Sequence, residues 1–394
     1  MIPKLLEAVP QEETEELLLR LIRIESHAEC PGQEREAAEA LAEYLEAAGI
    51  ACERDEAAPG RCNVVARIPG CGGGSSLLLN GHLDTVPKYG MDSAFEPWIR
   101  DGRIYGRGSV DMKGALAVMA GVLVAMRRTN VRLGGDLVLA ATVGEESYSP
   151  GAYRLARRGR LTDYAIVGEP TGMRIGIAHK GVAWYEATFQ GVSVHGSVPD
   201  RGVNAVYHAS RWIEYLQSRY IPELGSRVHP LLGSPTINVG MIEGGSRPVI
   251  VPGRCVVRFE RRLLPGETTD SALAELRETL QAAGEGVPGW NASVDRMDNF
   301  FGVPHEALQT RADSAVAEAL AAALRNAGRS DSGPVGLQFW TDGALIGASG
   351  AETVVCGPGH IEQAHSDDEY VEREQLRLAF RVYAEAALAL CAAR

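Results

Sequence analysis

Residues 77–87 read LLLNGHLDTVP, an apolar run that ends on the imidazole of His82 and, two positions later, the carboxylate of Asp84. A short, nearly continuous apolar run fits a strand buried on both faces, as in a sheet covered by helices. In open α/β sheets, ligands bind beyond the carboxyl ends of such strands, so the polar ending marks a candidate site. Positions i and i+2 of a strand share a face. Asp84 is therefore expected beside His82, accepting its second ring N–H and fixing the tautomer.

The same texture recurs in NVVARI (63–68), DLVLAATVGEE (136–146), YAIVGEP (164–170) and ETVVCGPG (352–359). Helical periodicity fills the intervals, notably 13–24, 32–50 and KGALAVMAGVLVAMRR at 113–128. Strands alternating with helices predict an α/β domain with a central, mostly parallel sheet covered by helices. From 181 to 298 the texture changes. Alternating strands (VAWYEATFQ, CVVRFERRLL) flank two helical segments, 204–220 and 270–284, in the order β-α-β-β-α-β of a ferredoxin-like α+β insert. The expected organisation is a discontinuous domain, 1–180 with 299–394, interrupted by a second domain at 181–298. GCGGGSS (70–76) precedes a strand and reads as a loop, not as a dinucleotide fingerprint.

The chain has 394 residues, 45% of them apolar, enough for two cores. Its net charge of -12 argues against nucleic acid or an anionic membrane as partner. Seven cysteines without a CxxC spacing fit a reducing compartment and argue against a thiolate zinc site. No stretch approaches the roughly 20 apolar residues of a membrane span, and the N-terminus lacks a signal-like apolar region. A soluble cytoplasmic protein is expected.

The strand ends collect metal-like side chains: His82 with Asp84, then Glu145 and Glu146, then Glu169. Asp111 precedes the helix at 113–128, and His365 follows ETVVCGPG in the turn HIEQAHSDDEY. Imidazoles mixed with carboxylates fit zinc, with cobalt or manganese as substitutes. Two histidines and at least three carboxylates exceed one tetrahedral ion. They predict two Zn2+ per chain, roughly 3.5–4 Å apart and sharing a carboxylate.

The motifs GHLDTVP, GRGSVDMKG, GEE, GEPT, VHGSVPDRGVNA, RRLLPGE and AHSDDEY, in this order, resemble the zinc metallopeptidases that include acetylornithine deacetylase, succinyl-diaminopimelate desuccinylase, aminoacylase and glutamate carboxypeptidase. The resemblance implies His82 and Glu169 on one metal, Glu146 and His365 on the other, and Asp111 bridging both, with a cis peptide from Asp111 to Met112. It makes Glu145 the general base and His195 an oxyanion donor reaching across a dimer formed by the inserted lid, beside Asp84 as the partner that strand geometry gives His82. Arg262 is the candidate for a substrate carboxylate, the alternative being a surface salt bridge. Val249 and Glu260 depart from the family pattern, which commonly has asparagine at the first and aspartate or asparagine at the second. His179, His208, His229 and His305 match no ligand position, and His360 is the main rival to His365.

The expected activity is removal of an acyl group from an N-acylated amino acid. Cleavage of a short peptide, as by a dipeptidase or carboxypeptidase, is the alternative at the same site. A two-metal phosphoesterase would favour a more basic pocket, and an inactive binding protein would have a broken ligand set.

Overall fold

The computed structural model describes residues 1–297 and 302–393 and divides into two compact units. The first comprises Met1–Ile177, Gln309–Gly336 and Thr341–Arg394; the second comprises Ala178–Leu308 and Leu337–Trp340. The boundary expected at 298/299 lies outside the described residues.

The first unit is built on strands β1 (Cys52–Ala58), β2 (Arg61–Ile68), β3 (Leu77–His82), β4 (Leu137–Thr142), β5 (Tyr164–Pro170) and β6 (Glu352–Gly357), ordered β1-β2-β4-β3-β5-β6. The four central strands are parallel. Every residue of β3 and β4 is buried, which is why these segments read as unbroken apolar runs. The margin differs from the parallel core: β2 runs antiparallel to β4, and β1 antiparallel to β2. Only Pro59 and Gly60 join β1 to β2, a connection too short for a parallel pair. The charged sequence of β1, CERDEAA, suits an edge strand and hides it from a search for apolar runs.

Helix Lys113–Arg128 is buried from Lys113 to Met126. It packs against β3 and against helices Gln11–Ile22 and Arg373–Leu390, so apolar residues occupy its whole circumference. Parallel pairing sets His82 opposite Thr142 at the ends of β3 and β4, with Glu145 and Glu146 just beyond and Glu169 near the end of β5. The sheet thereby brings these side chains to one edge.

The second unit contains an antiparallel sheet ordered Thr236–Gly244, Arg254–Leu263, Gly181–Gln190, Ala292–Arg296. In chain order this is second, third, first, fourth, as β-α-β-β-α-β requires. Helices Ala205–Tyr215 and Thr269–Gly284 cover it, closing a core that includes Tyr185, Phe189, Trp212 and Phe259. Asn204 caps the first helix through Val206 and Tyr207 N–H, and a Thr268–Ser271 capping box starts the second.

Three histidines without a ligand role are buried in this unit, and two of them, His179 and His305, are the most deeply placed. Burial holds both rings down at a pKa of about 4, against about 6.5 in an unfolded chain. Between those values the unfolded chain binds more protons, so stability is complete above pH 6.5 and falls as pH drops towards 4. The expected loss is roughly 2 kcal/mol per histidine between pH 7.5 and pH 5. Trp184, Trp212, Trp290 and Trp340 belong to this unit, so denaturant unfolding followed by tryptophan fluorescence reads it. A replacement of both rings by glutamine should flatten the dependence; an unchanged slope in that variant would assign it to other groups.

Candidate metal centre

His82 closes β3 with its Nε2 3.0 Å from Asp111 Oδ1 and 3.6 Å from Glu169 Oε1. His365 Nε2 lies 2.8 Å from Glu146 Oε1 and 3.3 Å from Asp111 Oδ2. Asp111 thus turns one oxygen towards each imidazole. Three donor groups have their ligand atoms within 4.8 Å of one another: His82, Asp111 and Glu169; Asp111, Glu146 and His365; and His82, Glu145 and Glu146. His360 belongs to none of these groups, and its ring packs against Gly172. The Asp111–Met112 peptide is cis.

The turn after β4 presents Glu145 and Glu146. Gly144 enters it at φ 78°, and a Cβ there would lie 2.7 Å from the Arg61 guanidinium, so only glycine fits. Arg61 is itself held by Glu34, whose Oε2 accepts from its Nε at 2.9 Å. Asp84 fixes the turn from the other side. Its Oδ1 accepts the N–H groups of Gly144 (3.0 Å) and Glu145 (3.1 Å), and its Oδ2 accepts that of Glu146 (2.9 Å).

This changes the division of labour read from the sequence. His82 Nδ1 meets the main-chain carbonyl of Asp84 at 3.0 Å, whereas the carboxylate is 3.5 Å away. The strand ends at His82, so the i, i+2 relation no longer governs residue 84. The carbonyl orients the ring, and the carboxylate orients the glutamates.

Burial dominates the electrostatics. It pushes Glu145 and Glu169 well above the usual carboxyl range, reinforced for Glu145 by the charge of Glu169 and for Glu169 by that of Asp111. Glu146 is raised by burial too, against the opposing hydrogen bond from His365. Asp111 moves the other way: burial opposes ionisation, but hydrogen bonds from His365 and His82 hold it below its ordinary value. Hydrogen bonds to Asp111 and Glu146 raise His365 to about 10. Glu169 Oε1 is buried with no hydrogen-bond partner. An orphaned carboxylate oxygen amid excess negative charge and two imidazoles is a donor set that fits divalent cations.

Three further residues belong to this neighbourhood. Asp342 is buried, accepts the Thr142 hydroxyl at 2.8 Å through Oδ2, and leaves Oδ1 without a partner; burial pushes it up to about 6. In the sequence, nothing singles out TDG at 341–343. Arg107 and Glu369 form a buried ion pair at 2.5 Å, and they are 262 residues apart in sequence.

His195 and Arg262 belong to the second unit. His195 is exposed, and its Nδ1 accepts the Ser197 N–H at 3.2 Å with Ser197 Oγ 2.7 Å away. That assignment leaves the proton on Nε2. Arg262 is engaged by Glu260, with Nη2–Oε2 at 3.1 Å and Nε–Oε1 at 3.3 Å.

Because Asp84 satisfies three N–H groups, Asp84→Ala should leave the chain folded but lower both divalent-metal affinity and kcat roughly 10–100-fold. Metal titration and steady-state kinetics check this. Unchanged values for both would remove Asp84 from the supporting structure.

The model of peptidase family M20/M25/M40 matches residues 78–389. The acetylornithine deacetylase of Myxococcus xanthus is 34% identical over 363 residues, spanning 89% of this chain and 90% of that protein. The enzyme of the same name from Aliivibrio fischeri strain MJ11 is 30% identical over 338 residues, 84% and 85% of the two chains. A tripeptidase structure from Staphylococcus aureus superposes with a TM-score of 0.82 at 24% identity, covering 97% of this chain and 99% of that one, and so shares the fold. The chain belongs to peptidase family M20/M25/M40.

Proposed function

We propose that this protein is a cytoplasmic, homodimeric two-zinc amidohydrolase that removes the acyl group from an N-acylated amino acid. One observation carries the reading: Asp111 lies between two imidazoles, with Glu169 grouped on the His82 side and Glu146 on the His365 side, while Glu145 stands in neither set. His82, Asp111 and Glu169 would hold one ion, and Asp111, Glu146 and His365 the other. Nitrogen and oxygen donors without a thiolate favour zinc, with cobalt or manganese as substitutes. When bound, such a pair acidifies a water to a pKa of about 7 and polarises the acyl carbonyl. The names of the two curated relatives support the deacylase reading. The seven free thiols agree with a reducing compartment, and among the described residues no helix is long and apolar enough to cross a membrane.

Glu145 serves as general base, taking a proton from the water and delivering it to the leaving nitrogen. Its main-chain N–H is pinned by Asp84, and its carboxylate lies beside His82 and Glu146, within reach of a water held by the ions. His195 donates a hydrogen bond from its Nε2–H to the developing oxyanion. Arg262 recognises the substrate carboxylate, which must first displace Glu260. The dimer forms through the second unit, where Thr236–Gly244 is a sheet margin bearing exposed Met241 and Ile242.

With saturating Zn2+, Glu145→Gln should keep both metals and lose about 10²–10⁴-fold in kcat. N-acetyl amino acids, N²-acetylornithine among them, assayed beside dipeptides decide the substrate class. Turnover of dipeptides alone would replace the deacylase reading by the peptidase one. For the dimer, inactive His195→Ala and inactive Glu145→Ala subunits should regain about half of wild-type activity as heterodimers, since one of the two sites is then complete. No recovery in verified heterodimers would place the donor within its own subunit.

A further inference from the structure

We infer that the buried Arg107–Glu369 pair is a clamp that positions the metal-ligand segments before any metal arrives. The inference rests on reading His82, Asp111 and His365 as ligands.

Both side chains are almost wholly removed from solvent, 1% and 0% exposed. Such a pair is expensive to bury, and here each partner is spent on main-chain groups of ligand segments. Arg107 donates from Nη1 to Glu369 Oε2, from Nε to the Pro87 carbonyl at 3.2 Å and from Nη2 to the Lys88 carbonyl at 3.2 Å. Pro87 and Lys88 continue the segment that begins with His82 and Asp84. Glu369 Oε1 accepts the N–H of Val110 at 3.1 Å and of Asp111 itself at 3.3 Å. Glu369 also lies four residues after His365, and its carbonyl accepts the Gly106 N–H at 3.2 Å. The short ladder Tyr370–Glu372 against Arg103–Tyr105 continues that attachment. One ion pair thus fastens together the segments carrying His82, Asp111 and His365. Neither side chain is among the clustered donors, so both are positioning residues.

The clamp predicts order without metal. In chelator-treated full-length protein, the Val110 and Asp111 amides should exchange roughly 100-fold or more below unstructured rates, with little further slowing at saturating Zn2+. Free exchange until Zn2+ is added would mean that the metal orders the loop, and would overturn the inference. Glu369→Gln, and the double replacement of Arg107 by Met and Glu369 by Leu, which avoids a lone buried charge, should speed this exchange and weaken Zn2+ binding roughly 10–100-fold. The metal-free melting temperature of the double variant should stay near wild type, whereas Glu369→Gln, which leaves the Arg107 charge unpaired, should lower it. Zn2+ binding as tight as in wild type by either folded variant overturns the clamp alone. Wild-type protein that takes up no Zn2+ overturns the metal-centre reading itself.

Discussion

Crowding of four carboxylates at the end of one sheet, Asp111 and Glu169 buried and Glu145 and Glu146 half-buried, is the constraint on which the rest of the first unit depends. A carboxylate withdrawn from water needs a compensating charge or hydrogen bond. Glu145, Glu146 and Glu169 are all driven upward by desolvation. The ion-pair partners of Asp111, Glu146 and Glu169 are the imidazoles of His82 and His365. These two rings cannot neutralise four acids, and they meet at Asp111, the one member held below its ordinary value. The imbalance is what a divalent cation would relieve.

Holding like charges together requires a frame that does not relax. The parallel pairing of β3, β4 and β5 fixes where His82, Glu145 and Glu169 begin, and main-chain hydrogen bonds fix the irregular segments beyond the strand ends. Asp84 takes three N–H groups of one turn, Glu369 takes two N–H groups of another segment, and the Asp84 carbonyl takes a ring nitrogen of His82. Acids that touch no clustered donor atom thereby decide where the donor atoms lie.

Much of this was legible in the sequence because the central strands are local signals. Unbroken apolar runs ending on His, Glu-Glu and Glu announce both the sheet and the edge where its polar residues gather, and the alternating strands of 181–298 announce the second unit. Other features depend on tertiary proximity. Arg107 and Glu369 are 262 residues apart, and nothing near either names the other. Asp342 ends no apolar run, and only the fold brings it to Thr142. The polar edge strand Cys52–Ala58 carries no apolar run to detect. The i, i+2 argument for Asp84 failed in its detail because the strand stops at His82, a boundary that periodicity alone does not fix.

Backbone strain gives the same account from a different direction. Tyr148 and Ser149 have φ of 74° and 51°, and His365 has φ of 60°, all in the left-handed region that side chains other than glycine and asparagine rarely adopt. Such residues cost on the order of 1–3 kcal/mol each and persist only where their surroundings over-determine them. The turn bearing Glu145 and Glu146 is over-determined: the Ser149 N–H returns to the Gly144 carbonyl at 2.6 Å, the Gly151 N–H to the Val143 carbonyl at 3.0 Å, and Asp84 holds the three N–H groups between. A relaxed turn of the same length would let both glutamates swing out to water, where their ionisation is least costly. The strained turn keeps them inside, so the hydrogen bonds that stabilise it also maintain the negative field that a cation must answer.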